Sequence, residues 1–208
     1  MKQLFALSVM ALSLLSSCNN LQKVAAEPES LQKFTDEQLM DRVQNDALKY
    51  FWDFAEPNSL MGRERYHEDF YPKNDANVVT TGGSGFGLMT ILVGVERGFI
   101  PRSEAVKRLT HIADFLAKAD RHHGAWPHWR DGETGKTVSF GKKDNGGDIV
   151  ETAFLVEGII TVREYFKNGN AEEKALARKM DDLWKSVEWN WYTKGGEKVL
   201  YWHWSPVN

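Results

Sequence analysis

"DIVETAFLVEGIITVREYF", residues 148–166, carries only Glu151 and Glu157 as charges between Asp148 and Arg163 and is otherwise apolar on most sides of a helix. A helix that is apolar nearly all round has to be enclosed, whereas an amphipathic one lies on the outside. Working outward, the two kinds alternate. A first helix opens on Thr35 with Gln38 three residues later, a capping-box pattern, and repeats Leu39, Val43, Leu48, Phe51 and Trp52 at helical spacing as far as Pro57. "SGFGLMTILVGVERG" (84–98) is nearly uncharged until Glu96. The third helix, starting near 101–103, sets Val106, Leu109, Ile112, Ala113 and Leu116 against Glu104, Lys107, Arg108, Asp114 and Lys118. The fifth, from Ala171 to about Val187, is again heavily charged. Enclosed and outer helices joined in turn predict a toroid of helical hairpins with inner and outer rings. A six-hairpin toroid needs about twelve helices, more than ~200 residues at ordinary helix and loop lengths. The expected fold is therefore mainly all-α, a partial (α/α)6 toroid amounting to its first half. Two short β-hairpins are expected besides, one at 124–140 turning on "DGETG" and one around "TKGGEK" (193–198).

The chain has 208 residues, 42% apolar and 26% charged, with a net charge of -3, which provides no basic face for nucleic acid. Its amino terminus, "MKQLFALSVMALSLLSSCNN", combines Lys2, a short apolar run from Leu4 to Leu15, and the only cysteine, Cys18. The run is too short for a permanent span and resembles a bacterial lipoprotein signal cleaved before a lipidated cysteine. Residues 1–18 are thus expected to be a signal peptide with Cys18 as the lipidation site. Residues 19–34 would be a flexible tether, and 35–208 the toroid segment. A lone thiol forms no disulfide within the chain. The implied location is an extracytoplasmic membrane face, periplasmic or cell-surface, with the membrane engaged only through the anchor.

Asp144, Asp148 and Glu151 stand four and then three residues apart where the fourth helix begins. At about 100° per residue, Asp148 and Glu151 fall on the same stripe as Leu155, Ile159, Val162 and Phe166, while Glu157 and Glu164 face away. Ionised groups are costly to bury unless paired or used. Helix capping, with Asp148 as N-cap and Glu151 as its capping-box partner, explains two of the three acids without any chemistry. Asp144, before the Gly146–Gly147 pair, is left unexplained. Six of the eight tryptophans, Trp126, Trp129, Trp189, Trp191, Trp202 and Trp204, lie in the two expected hairpins that flank these acids. Aromatic faces stack on sugar rings while carboxylates and histidines bind hydroxyls, so the grouping predicts a glycan cleft. Trp126, His128, Trp129, Trp202 and His203 are the candidates there, with Ser84 and Phe86 facing the cleft from the second helix and Arg65 clamping substrate. "GGSGFG" lacks the strand and spacing of a dinucleotide fingerprint. His122, His123 and His128 lack zinc spacing, and neither metal nor cofactor is expected.

Four motifs in order, "TTGGSGFGLMTILVGVERGFI" (80–100), "GAWPHWRDGETG" (124–135), "KKDNGGDIVETAFLVEGIITVREYF" (142–166) and "EWNWYTKGGEKVLYWHWSP" (188–206), resemble the glucoamylase-like domain of Bacteroidetes lipoproteins. That domain includes glycoside hydrolase family 144, the endo-β-1,2-glucanases. The resemblance implies an (α/α)6 fold, inverting hydrolysis of β-1,2-glucan, and functional acids at an acid–Gly-Gly–acid–acid segment that matches Asp144, Asp148 and Glu151. Family members continue for roughly another half-barrel, which contains a further active-site glutamate, so the chain is expected to be a truncated member. An oligo- or polysaccharide is the expected partner. A non-catalytic glycan-binding lipoprotein and an inactive fragment stay open as alternatives, and nothing in the residues fixes the oligomeric state.

Overall fold

A computed structural model describes residues 34–70, 72–73 and 75–207. The expected signal peptide, Cys18 and all but the last residue of the tether lie outside the described residues. The chain divides into units 1–39 and 40–208. Within the first, Thr35 N–H donates to Gln38 Oε1 at 3.0 Å and Gln38 N–H to Thr35 Oγ1 at 3.2 Å, the capping box read from the sequence.

In chain order the elements are α1 (Asp36–Trp52), β1 (Val78–Thr80), α2 (Thr81–Glu96), α3 (Arg102–Lys118), β2 (Trp129–Asp131), β3 (Thr137–Val138), α4 (Ile149–Phe166) and α5 (Ala171–Lys185). The apolar helices α2 and α4 pack on each other, α4 packs on α5, and α3 on both α5 and α2. The inner-and-outer alternation of an α/α toroid is therefore present. Every residue of the α3 stripe is buried, and Leu155, Ile159, Val162 and Phe166 of α4 are fully so. The inner pair meets backbone to backbone: a Cβ added to Gly85 would lie 2.1 Å from the Phe154 carbonyl oxygen, and one on Gly158 2.3 Å from that of Gly85. Among the described residues no helix is long and apolar enough to cross a membrane.

Three expectations change. Helix α2 starts at Thr81 rather than Ser84, because its first amides find acceptors in other elements: Thr81 N–H donates to His128 O at 3.1 Å and Gly82 N–H to Glu151 Oε2 at 2.8 Å. The first hairpin, β2–β3, gains a third strand in β1, with Val79 opposite Arg130 and Arg130 opposite Thr137. The second hairpin does not form. Residues Trp189–Thr193 are a 3-10 turn, followed by Lys194, Gly195 and Gly196 all at positive φ. Tyr201 N–H then returns to Tyr192 O at 2.9 Å without a strand ladder among the described residues.

Candidate active site

Asp148 is the N-cap of α4, its Oδ1 accepting from Val150 N–H at 2.9 Å and Glu151 N–H at 3.0 Å. Its own N–H donates to Trp126 O at 2.9 Å and the residue is fully buried. The capping reading is right for Asp148 and fails for Glu151, whose carboxylate does not return to the cap. Glu151 instead reaches the first turn of α2, where it accepts the Gly82 N–H. The neighbouring N-termini of the two inner helices thus hold one carboxylate each.

The second oxygen of Asp148 lies 3.3 Å from His128 Nδ1, and Asp144 Oδ2 lies 3.2 Å from the same nitrogen. Beyond that approach to His128, Asp148 Oδ2 has no hydrogen-bond partner among the described residues, and Asp144 Oδ1 has none. Asp144 reaches this point from a turn closed by Phe140 N–H to Asp144 O at 3.0 Å and Asp144 N–H to Gly141 O at 3.1 Å. Phe140 stacks flat on His128, with ring centroids 4.0 Å apart and planes 7° apart, and Trp129 stands edge-on to both rings. Burial and the charge of Asp148 push the Asp144 carboxyl above its usual range, against the pull of His128 and His203. Burial alone would push His128 down, but its bond to Asp148 and the charges of Glu151, Asp144 and Asp148 outweigh that and hold it up.

The Gly146–Gly147 pair is explained by close approach. A Cβ on Gly146 would lie 2.2 Å from Trp204 O, and one on Gly147 2.1 Å from the Tyr192 hydroxyl oxygen. The closing segment docks there: Ile149 N–H donates to Trp202 O at 2.7 Å, Trp204 N–H to Gly147 O at 2.8 Å, and His203 is paired opposite Asp148.

Of the residues singled out from sequence, the structure therefore brings together Asp144, Asp148, Glu151, His128, Trp129 and His203. Trp202 touches the segment through its carbonyl while its ring is largely exposed. Phe86 is exposed and packs on Phe154 at 5.5 Å, one helical turn along α2 from Gly82. Two candidates, Trp126 and Ser84, are corrected. Trp126 is a fully buried core residue, its indole N–H donating to Leu116 O at 3.2 Å under the Arg121 guanidinium, so its ring is not available to a sugar. Ser84 is buried with its hydroxyl already used, accepting from Gly62 N–H at 3.0 Å and donating to Thr80 O at 2.6 Å. Arg65 is exposed and paired with its neighbour Glu64. Phe140 and Gly82 escaped notice in the sequence: an aromatic beside "GKK" reads as a loop residue, and no local pattern announces an amide that will serve Glu151.

No family profile matches the chain. Over 194 residues it is 50% identical to an exo β-1,2-glucooligosaccharide sophorohydrolase (non-reducing end) of Parabacteroides distasonis, covering 92% of this chain and 26% of that protein. The endo-β-1,2-glucanase of Chitinophaga pinensis, solved with sophorotriose and glucose, superposes with a TM-score of 0.80 at 58% identity, over 84% of this chain and 42% of that one. A provisionally named glucoamylase of Bacteroides caccae gives a TM-score of 0.81 at 59% identity, over 83% and 42% respectively. The chain thus spans about a quarter of the sophorohydrolase and under half of each solved chain.

Proposed function

We propose, starting from the chain's homology to glucoamylase-like β-1,2-glucan hydrolases, that it forms one wall of a β-glucan cleft in which Asp144, Asp148 and Glu151 supply acid and base groups. The observation that supports this most is Asp148: a fully buried carboxylate at the mouth of an inner helix, with one oxygen left over after capping and turned toward His128 and Asp144. A structural cap alone has no use for that second oxygen or for Asp144. The reaction is hydrolysis of a β-1,2 linkage with inversion. One carboxyl group protonates the leaving oxygen, while a carboxylate on the opposite side of the sugar activates water.

Inverting pairs stand ~6.5–9.5 Å apart to leave room for that water. Oxygens of Asp144 and Asp148 lie within 4.8 Å of one another. They therefore act as a unit on one side of the scissile bond, and the opposing group is Glu151 or a carboxylate from outside this chain. The same observation favours a second reading, in which the chain binds the glucan without turning it over. Incubating the chain with linear β-1,2-glucan is expected to release new reducing ends, the first-formed products having the α configuration by NMR. Retention on a β-1,2-glucan gel with no new reducing ends identifies the binding reading, and neither retention nor hydrolysis sinks both.

Cys18, after a basic start and an apolar run, supports a lipid anchor and an extracytoplasmic location. Expression in a bacterial host fed labelled palmitate is expected to label the chain and not its Cys18→Ser variant. Equal labelling of the two would remove the anchor.

A further inference from the structure

We propose that His128 is a positioning residue, its Nδ1 bridging a loop carboxylate, Asp144, to a helix carboxylate, Asp148, so that the two are held as one unit. This role presupposes that those carboxylates are the reacting groups, but the bridge itself can be tested without any turnover.

The loop from Ser139 to Gly147 closes its turn on itself, through the Phe140, Gly141 and Asp144 backbone groups. His128 ties that turn to the body of the protein through both its ring face and its ring edge, beside Trp129, which meets Phe140 edge-on. Phe140 covers the ring face at 4.0 Å and Asp144 Oδ2 meets the ring nitrogen at 3.2 Å. Asp148 lies 3.3 Å from the same nitrogen and belongs to α4. His128 is fixed on its own side, since its carbonyl accepts the Thr81 N–H at the start of α2. One imidazole therefore indexes the loop acid against both inner helices. Two carboxylates this close repel unless a cation stands between them. An imidazolium supplies that charge, and the acid on the loop is the one that would move away without it.

The charged groups facing His128 are Asp144, Asp148 and Glu151, with His203 acting on Asp144 from the closing segment. The sign follows from the directions already given. With its folded value raised, His128 contributes stability that is complete below about 6.5 and is lost as pH rises through the raised value. Asp144, also raised, holds its proton to higher pH than a free aspartate, so both groups favour the closed cluster on the acid side.

The test is a histidine ¹⁵N–¹H titration of the full chain, its Asp148→Asn variant and its His128→Gln variant, the last assigning the His128 signal. His128 is expected to titrate above an ordinary histidine in the native chain. In Asp148→Asn it should titrate lower, because burial then loses its main opponent. A titration unchanged by Asp148→Asn, or one at or below the ordinary value in the native chain, overturns the bridge. So does movement of the His128 signal on adding EDTA, which would mean that a cation, and not a proton, joins the three groups. In an active chain, His128→Ala should lower kcat by roughly 10²-fold with KM little changed. His128→Gln, which keeps one amide donor, should recover part of that loss and flatten the alkaline limb of the pH profile. Equal rates for all three proteins would also overturn the role. A chain without glucanase activity would sink the proposed reaction while leaving the titration to decide the bridge.

Discussion

Gly85→Ala is expected to destabilise the chain by about 3 kcal/mol, against a local gain of about 1 kcal/mol because alanine is the better helix former. The new methyl carbon would lie 2.1 Å from the carbonyl oxygen of Phe154, 2.6 Å from its carbonyl carbon and 2.7 Å from the Cα of Leu155. All three are backbone atoms, so no rotamer change relieves the overlap. Helices α2 and α4 have to separate, and the buried side chains between them lose contact in a close-packed interior. The separation also pulls Gly82 from Glu151, because that 2.8 Å bond joins the same two helices. Urea unfolding followed by circular dichroism should show a lower midpoint with an unchanged slope. A midpoint equal to or above that of the native chain would mean that the two backbones do not touch.

If the proposed hydrolysis holds, Asp148→Asn is expected to cut it by ~10²–10⁴-fold, the range contributed by a positioned acid or base. Its stability should change little. Asparagine caps helices about as well as aspartate, so the Val150 and Glu151 amides keep their acceptor. What disappears is the negative charge beside His128 Nδ1. Asp148→Ala separates the two roles, since it removes the cap as well and should cost about 1 kcal/mol more through that loss alone. Reducing-end assays beside thermal melts on both variants distinguish loss of chemistry from loss of fold. Native-level hydrolysis by Asp148→Asn would remove Asp148 from the reaction and return it to the role of a helix cap.

How far the site could be read in advance differs residue by residue. Asp148 was legible because an N-cap is a local event: an acidic side chain immediately before an apolar run has amides two and three residues on to bind. Asp144 was legible only as an acid lacking a local use. Glu151 was placed on the right stripe but given the wrong partner, because its amide lies 69 residues away in α2. The tryptophans show the limit most clearly. "AWPHW" and "YWHW" look equivalent as strings, yet Trp126 is sealed in the core and Trp202 is 60% exposed. The Gly195–Gly196 pair signals a reversal, and the chain does reverse there. Its flanks form no ladder, because Tyr192 and Trp204 are committed to packing on Gly147 and Gly146.

By itself the sequence determined which segments are helices, which of them are enclosed, and where a carboxylate caps one. Each of these follows from residues within a turn or two of each other, and periodicity records them directly. Tertiary structure alone decided which aromatic rings face outward, which amide receives Glu151, and that His128 stands between Asp144 and Asp148. Those contacts join residues whose separation in the chain has no period, and they exist only once the glycines of α2 and α4 let the two inner helices meet.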